Sequence, residues 1–405
     1  MGSLATSGAT VSKQAEVSTG RIPSIDFLRG AVMVIMAIDH TRDFFTNLTF
    51  EPESLSQTWT ALFFTRWITH FCAPLFFFLA GTGAFYYGMR RAPSAASKYL
   101  VTRGLWLIAV EFTIVGTAWT FKAPWGFFGV IWCLGASMVV LAALVRLPLR
   151  WLAGLSAAIV LLHDLADTYR PGSGDWTWIW RILHVKGGVN IFGAHSFVLF
   201  PLLPWCAVMA LGFCFGALLQ RPDKQKFILR LGIALTLAFV ILRSTNIYGN
   251  PPALPGGVTP GNFHVQPTLA KTFILFLDTE KYPPSLQFLL MTLGPSLLVW
   301  WAIEKFGLPR FARPIVVFGR VPFFFYVLHL YLIHALAVLV AIAFHQPYSW
   351  LLHGGFWFND LPEGYGHGLG FIYLMWAVVI VILYFSCHWF ARMKEQKRAW
   401  WLSYL

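Results

Sequence analysis

Three side chains that can do chemistry, Arg29, Asp39 and His40, stand in an apolar stretch long enough to form a membrane-spanning helix. Charged side chains cost ~2.5–3.5 kcal/mol at the centre of a bilayer, so we expect these groups to face the interior of a helical bundle. Arg29 and His40 are eleven positions apart, which places them within ~20° of one helical face and ~16 Å apart along the axis. A fixed cation and a proton-accepting imidazole on one wall suit the binding of an acyl-coenzyme A. The cation would bind its phosphates, and the imidazole would act as a base beside its thioester.

Each of these residues also has a structural interpretation. Arg29 and Asp26, at i and i+3, are spaced for a simple surface ion pair. His40 is equally suited to a structural hydrogen bond near the membrane interface. Asp39 diverges from His40 by about 100°, so the two side chains are not expected to form a dyad. Asp43, three positions beyond His40, is better placed to orient the imidazole, and we also assign it to substrate binding.

Further candidates lie in later segments. His70 opens the second apolar segment, where it either places an acceptor or the developing oxyanion or is a satisfied polar group. Lys281 and Tyr282 are expected at the outer mouth of a site. His329 and His334 are five positions apart, about 140° on a helix, which is wrong for ligating one metal ion. We therefore predict no metal site. Separately, we assign both histidines to substrate binding.

Composition sets the class of protein. Hydrophobic residues make up 57% of the 405 residues and charged residues only 12%, about half the fraction found in soluble domains. The net charge of +13 is spread in short runs between apolar stretches, which is typical of membrane topology and not of nucleic-acid binding. The five cysteines lie in apolar segments and form no metal motif. Glu111, deep in one such segment, is expected to pair with an interior arginine.

The apolar segments predict an all-α bundle of about ten transmembrane helices, because ~20 residues are needed to cross the hydrocarbon core. The ninth segment contains Pro322, which predicts a short inner helix, a break and then the spanning helix. The predicted spans are residues 27–46, 67–88, 104–120, 127–145, 151–166, 196–219, 227–245, 285–303, 316–345 and 369–390.

The basic residues predict the orientation of the bundle. One alternate set of loops carries 21 of the 30 Lys and Arg residues, which places both termini in the cytoplasm. We expect a disordered cytoplasmic N-terminus over residues 1–20, a transmembrane domain over 21–390 and a basic cytoplasmic tail over 391–405. The opposite side has long segments rich in Gly, Pro and Trp, such as residues 172–176 and 251–255, and long ordered loops of this kind are usually functional.

The sequence resembles two related families of membrane acyltransferases. The Arg-x10-His spacing from Arg29 to His40 resembles acyltransferase family 3. The longer pattern is similar to bacterial relatives of heparan-alpha-glucosaminide N-acetyltransferase. It consists of residues 21–30 (RIPSIDFLRG), 39–45 (DHTRDFF), 70–74 (HFCAP), 79–81 (LAG), 281–285 (KYPPS), 318–322 (FGRVP) with Tyr326, His329 and His334, and 362–366 (PEGYG).

This resemblance implies a multi-pass protein, expected in a bacterial inner or plasma membrane, that uses cytoplasmic acetyl-coenzyme A as its acyl donor. It implies that Arg29 and Arg320 bind the donor and that His40, with Asp39 and His70, forms the catalytic group. The loop at 46–66 contains no histidine, whereas the lysosomal enzyme has its proposed catalytic histidine there. His40 or His70 must therefore supply the base.

The expected reaction is transfer of an acyl group to a sugar or another hydroxyl or amine acceptor on the far side of the membrane. The alternative is a transporter or a lipid or glycan flippase, since polar residues within spans serve transport equally well. The expected partners are membrane lipids and a glycan or small-molecule acceptor. A homodimer is left open by the sequence.

Overall fold

The computed structural model describes residues 22–89, 91–122, 126–169, 177–191, 193–251, 261–353 and 361–397, together with Ala399 and Leu402. The predicted N-terminal segment 1–20 and the loop pieces 172–176 and 252–255 lie outside the described residues, as does most of the chain after residue 397.

Helices form wherever the sequence is apolar and free of clustered Gly and Pro, and several begin at a proline, which fits the first turn of a helix. In chain order, the helices are α1 Pro23–Phe45, α2 Thr60–Trp67, α3 Cys72–Gly88, α4 Pro93–Val110, α5 Gly116–Thr120, α6 Val130–Leu144, α7 Leu149–Leu162, α8 Thr177–His184, α9 Leu202–Leu218, α10 Lys224–Thr245, α11 Leu269–Leu277, α12 Leu286–Phe306, α13 Arg313–Arg320, α14 Pro322–Ala343 and α15 Leu369–Gln396.

Within the described residues, seven helical segments are long and apolar enough to cross a membrane. They are Thr60–Gly88, Pro93–Thr120, Leu149–Ala166, Lys224–Thr245, Leu286–Phe306, Pro322–Ala343 and Leu369–Gln396. The other three predicted spans correspond to α1, which carries five charged side chains, and to the shorter apolar helices α6 and α9. The count of ten spans and the orientation of the termini stay predictions.

The predicted break in the ninth segment is present. The helix α13 ends at Arg320, and α14 begins at Pro322 after one non-helical residue. Proline cannot donate the hydrogen bond that would continue α13, whereas its fixed φ suits the first turn of α14. The last helix, α15, continues to Gln396, so the first residues of the predicted tail are helical.

The expectation of a purely α-helical protein was wrong in one place, because a small sheet lies beside the bundle. Its strands are β1 Phe127–Phe128, β2 Gly187–Ile191 and β3 Ala194–Val198, in the order β1-β3-β2. β3 pairs with β1 in parallel and with β2 antiparallel. The strands take the first residues of two predicted spans, since an apolar run alone does not distinguish a strand from a helix.

Close helix contacts fix α1, which carries Asp39 and His40, and α3, which begins two residues after His70. A Cβ at Gly30 of α1 would lie 1.9 Å from the carbonyl oxygen of Ile315 in α13. A Cβ at Gly81 of α3 would lie 1.8 Å from the carbonyl oxygen of Met209 in α9. Only glycine permits such close backbone contact, which is a common means of packing helices in membranes. The positions of α1 and α3 are therefore tightly constrained.

Candidate active site

A chamber of about 850 Å³ lies at one end of the bundle, where α1, the α2–α3 segment and the sheet meet. We call it the histidine chamber, since His40, His70 and His184 line it. Lys281 and Tyr282, from the segment before α12, also line it, as does Tyr326 of α14. The structure thus brings together residues that are far apart in the sequence.

A buried network of charges forms one side of this chamber. Asp39 pairs with Arg42 of its own helix, at 2.9 Å, and with Arg66 of α2. Arg42 is only 3% exposed and also contacts the Asp43 carboxylate at 2.7 Å. Breaking one partner of a buried ion pair typically costs about 3–5 kcal/mol. Asp39 therefore holds α1 to α2, and both of its carboxylate oxygens face arginines.

The network continues through Glu53 to His70. A single oxygen of Glu53, Oε1, accepts a hydrogen bond from Nε of Arg66 at 2.7 Å and lies 3.3 Å from Nε2 of His70. Burial raises the pKa of Glu53, but Arg66 and the hydrogen bond from His70 outweigh burial and hold this pKa well below its ordinary value. Glu53 is thus a carboxylate, which only accepts hydrogen bonds, so Nε2 of His70 is the donor.

His40 has a different environment, made of rings. Its imidazole centroid lies 4.9 Å from Trp119, 5.0 Å from His329 and 6.5 Å from Tyr326. The Nδ1 atom of His40 is buried and has no hydrogen-bond partner among the described residues. The expectation that Asp43 orients His40 was wrong. Asp43 is bonded to Arg42 instead, and the described residues contain no hydrogen bond between Asp43 and His40.

A buried lysine also lines the chamber. Lys281 is 9% exposed, and its ammonium nitrogen lies 5.1 Å from the ring centre of Tyr282. Lys186 approaches the same ring at 5.2 Å, so the tyrosine lies between two cations. No carboxylate of the described residues forms an ion pair with Lys281. Its charge is thus directed at the chamber and not neutralised by an adjacent acid.

The two histidines of α14 have separate positions. His329 lies behind His40 and does not line the chamber. Both nitrogens of His334 face backbone carbonyl oxygens, of Ala118 at 2.8 Å and Leu351 at 3.1 Å. The ring of His334 also stacks on Phe121 at 3.7 Å. The substrate-binding assignment of His334 stays a prediction, and the structure places both ring nitrogens against the backbone of neighbouring segments.

Glu111 was expected to pair with an interior arginine, and the structure gives it another role. Its Oε2 accepts a hydrogen bond from the backbone N–H of Trp132, at 2.8 Å. This contact caps the N-terminus of α6, where unpaired N–H groups favour an anion. A π-helical turn, Glu111–Val115, joins α4 to α5 at this point. Glu111 is 2% exposed and contributes to the chamber wall.

A second cavity of about 440 Å³ lies at the other end of α1. We call it the basic cavity, because four cations line it: Arg29, Arg103, Arg320 and Lys394. Arg29 donates a hydrogen bond to the carbonyl oxygen of Leu79 at 3.0 Å and approaches Asp26 at 4.0 Å. The surface pair with Asp26 is thus present, and Arg29 faces the cavity at the same time.

The two cavities share a wall of three residues, Phe76, Val130 and Tyr326, each of which lines both. We call these residues the common wall. Because Tyr326 also faces His40, the imidazole lies on the chamber side of this wall. The cavity lined by Arg29 and the chamber lined by His40 therefore meet near the middle of the bundle.

The sequence did not single out Arg66 and Glu53, although both join the network around His70. A signal was present: an arginine within an apolar span is costly and therefore needs an acidic partner. The sequence contained no such signal for the common wall. A buried Phe or Val occurs at the same helical spacing whether it fills a core or separates two cavities.

The apolar helices define an integral membrane protein, and the chamber lined by titratable side chains is an interior site within it. The family model described as heparan-alpha-glucosaminide N-acetyltransferase, catalytic, matches residues 21–248, which is more than half of the chain. The chain belongs to this family, and its class is that of the membrane acetyltransferases. A search of the curated proteins gave no match to the chain.

Proposed function

We propose that the protein transfers an acetyl group from acetyl-coenzyme A, held in the basic cavity, to a hydroxyl or amine acceptor in the histidine chamber. The observation that carries this proposal is the common wall, across which a cation-lined cavity and a histidine-lined chamber meet. Arg29 and His40 mark the two ends, ~16 Å apart along α1. An extended pantetheine arm spans such a distance, with its phosphates on the cations and its thioester beside His40.

The reaction proceeds by general-base catalysis. His40 takes the proton from the acceptor, and the freed oxygen or nitrogen attacks the thioester carbonyl carbon. The tetrahedral intermediate collapses as the carbon–sulfur bond breaks, and the departing thiolate takes the proton back from His40. Lys281 supports the oxyanion, because an ammonium that is buried and has no paired acid stabilises developing negative charge strongly.

His70 places the acceptor in this scheme. With Nε2 donating to Glu53, the ring of His70 is a fixed part of the chamber wall, and the acceptor packs against it. Arg320 and Arg29 hold the donor's phosphates, and Asp39 keeps the α1–α2 wall in place.

Thiol release by purified protein in lipid nanodiscs tests the function. The protein is incubated with acetyl-coenzyme A and a panel of amino sugars, neutral sugars and primary amines, and the acceptors are then examined by mass spectrometry. We expect acceptor-dependent thiol release and an acetylated product. Protein that binds coenzyme A but acetylates no member of the panel would reject the proposal in favour of a transporter.

A further inference from the structure

His329 stands directly behind His40 when viewed from the histidine chamber. It belongs to α14, is 0% exposed, and its ring centroid is 5.0 Å from that of His40. Burying an imidazole completely is costly unless its nitrogens find partners. The partners of His329 therefore carry information about its role.

The hydrogen bond of His329 fixes its tautomer. Its Nδ1 lies 3.1 Å from the carbonyl oxygen of Phe325, one turn earlier in the same helix. A carbonyl oxygen only accepts, so Nδ1 of His329 carries the hydrogen. The neutral ring then has its lone pair on Nε2, an atom that is buried and has no partner in the part of the chain that the structure describes.

His40 offers the complementary atom. Its Nδ1 is also buried and unpartnered, while the residue lines the chamber. Two facing rings thus have one unsatisfied nitrogen each, and one of these nitrogens can only accept. The 5.0 Å between the ring centroids is the separation that a hydrogen bond of about 2.9 Å between two ring nitrogens would give, and rotation about the outer side-chain torsion of histidine is soft.

We propose that His329 is the positioning residue for the base: its Nε2 accepts a hydrogen bond from the Nδ1–H of His40. This inference rests on the proposed function, in which His40 is the base. With its hydrogen fixed on Nδ1, His40 presents the Nε2 lone pair to the acceptor in the chamber. When Nε2 takes the proton, the Nδ1–H bond to His329 strengthens and stabilises the imidazolium.

His329 can orient the imidazole of His40 without placing a negative charge beside it. The groups with charge around His40 are Asp39 and Arg42 of its own helix, Arg66 of α2 and Lys281 beside the chamber. Tyr326 and His329 face it from α14. Asp39 is occupied by the two arginines, so the carboxylate next to His40 in sequence is not the group that orients it.

Two substitutions separate positioning from packing. His329→Phe keeps a ring of similar size but removes the acceptor. His329→Gln keeps an amide oxygen near the place of Nε2 and should therefore rescue much of the function. Replacing the partner that orients a catalytic histidine can cost roughly 10⁴-fold when the wrong tautomer results. We expect kcat to fall at least tenfold in His329→Phe, with the KM for acetyl-coenzyme A within twofold of wild type, and His329→Gln to be several-fold more active than His329→Phe.

A spectroscopic measurement reports the tautomer without relying on turnover. In protein labelled with ¹⁵N-histidine, the His40 signals are assigned as those missing from His40→Ala. We expect the Nδ1–H form of His40 in wild type and in His329→Gln, and a mixture of tautomers in His329→Phe. Thermal unfolding of each variant shows whether the bundle is intact.

The outcomes distinguish this inference from the proposed function. If the wild type is active and His40→Ala is not, a fully active His329→Phe with an unchanged His40 tautomer overturns the positioning role alone. If the wild type acetylates no acceptor, the proposed function fails. The tautomer measurement then still decides whether His329 holds the Nδ1–H of His40, and an unchanged tautomer in His329→Phe rejects the pairing.

Discussion

Glu53 and His70 are joined across the wall of the histidine chamber, with Oε1 of the acid 3.3 Å from Nε2 of the imidazole. The same oxygen accepts from Arg66, so the carboxylate is held from two sides. The chamber therefore contains two histidines with different support. His70 is backed by an anion, whereas His40 is surrounded by rings and lies next to the common wall.

The first prediction concerns the pH dependence of stability. The pKa of Glu53 is lowered from the ordinary value of 4.5, so its charge stabilises the fold above about pH 4.5, and this contribution is lost as the pH falls through the lowered value. Glu53→Gln should lower stability at pH 7 by less than the roughly 3–5 kcal/mol of a fully uncompensated buried charge, because Arg66 keeps Asp39 as its remaining partner. Thermal unfolding of both proteins from pH 7 down to about pH 3 tests this, because the contribution of Glu53 is lost only as the pH falls from 4.5 through the lowered pKa. A difference in Tm that does not shrink anywhere below pH 4.5 contradicts it.

The second prediction concerns the base. His40→Ala and His40→Asn should both lose 10²–10⁴-fold in rate, about 3–5 kcal/mol of barrier, because neither replacement accepts the proton. Coenzyme A binding and thermal stability should stay close to those of wild type. Initial rates of thiol release measure the loss.

Two parallel variants interpret that result. His334→Ala removes a buried histidine that only links segments, so it should lower stability while the folded fraction keeps its activity. His70→Ala should mainly raise the KM of the acceptor. If His40→Ala keeps more than about a tenth of the activity and His70→Ala is inactive, His70 is the base.

Much of α1 could be predicted from the sequence. Charged side chains are costly in a bilayer, so the helix face that carries them must point into the bundle. That reasoning brought Arg29, Asp39 and His40 to the bundle interior, and the structure has each of them lining one of the two cavities. It also predicted the break at Pro322, which follows from the missing N–H of proline.

The partners of these residues could not be predicted, because they depend on how helices distant in sequence pack together. The carboxylate of Asp43 contacts Arg42 and not His40, because the guanidinium of the preceding residue competes for it and donates a hydrogen bond to it. The sequence placed His334 among the site candidates without showing its neighbours. Only the positions of Ala118 and Leu351 reveal that both ring nitrogens face backbone carbonyl oxygens.

The third prediction concerns donor binding. Arg29→Gln should weaken coenzyme A binding by about 10–100-fold, since a hydrogen bond to a charged group contributes about 1.5–3 kcal/mol. The affinity of the wild type should fall as salt is raised. Arg221→Gln is the matched control, because Arg221 is exposed, pairs with Asp223 and does not line the basic cavity. Unchanged affinity in Arg29→Gln would assign Arg29 to its pair with Asp26.

The fourth prediction concerns orientation. Asp223 immediately precedes α10 and His264 comes after it in the chain, and α10 is a helix of 22 residues and therefore ~33 Å long. Because the basic loops predict a cytoplasmic position for residues 221–230, Asp223→Cys should react with an impermeant maleimide only after permeabilisation. His264→Cys should react in intact cells. Labelling of Asp223→Cys in intact cells contradicts the proposed two-sided reaction.

The last prediction concerns the common wall. Tyr326→Ala removes a ring that separates the basic cavity from the histidine chamber, so water should reach the thioester and hydrolyse acetyl-coenzyme A without an acceptor. Tyr326→Phe keeps the ring and should hydrolyse no faster than wild type. Phe77→Ala controls for lost packing, because Phe77 is 0% exposed and lines neither cavity. The measured quantity is the ratio of thiol release without acceptor to thiol release with it. We expect this ratio to rise several-fold in Tyr326→Ala alone, and an equal rise in Phe77→Ala would show that general loosening of the bundle, not the common wall, admits the water.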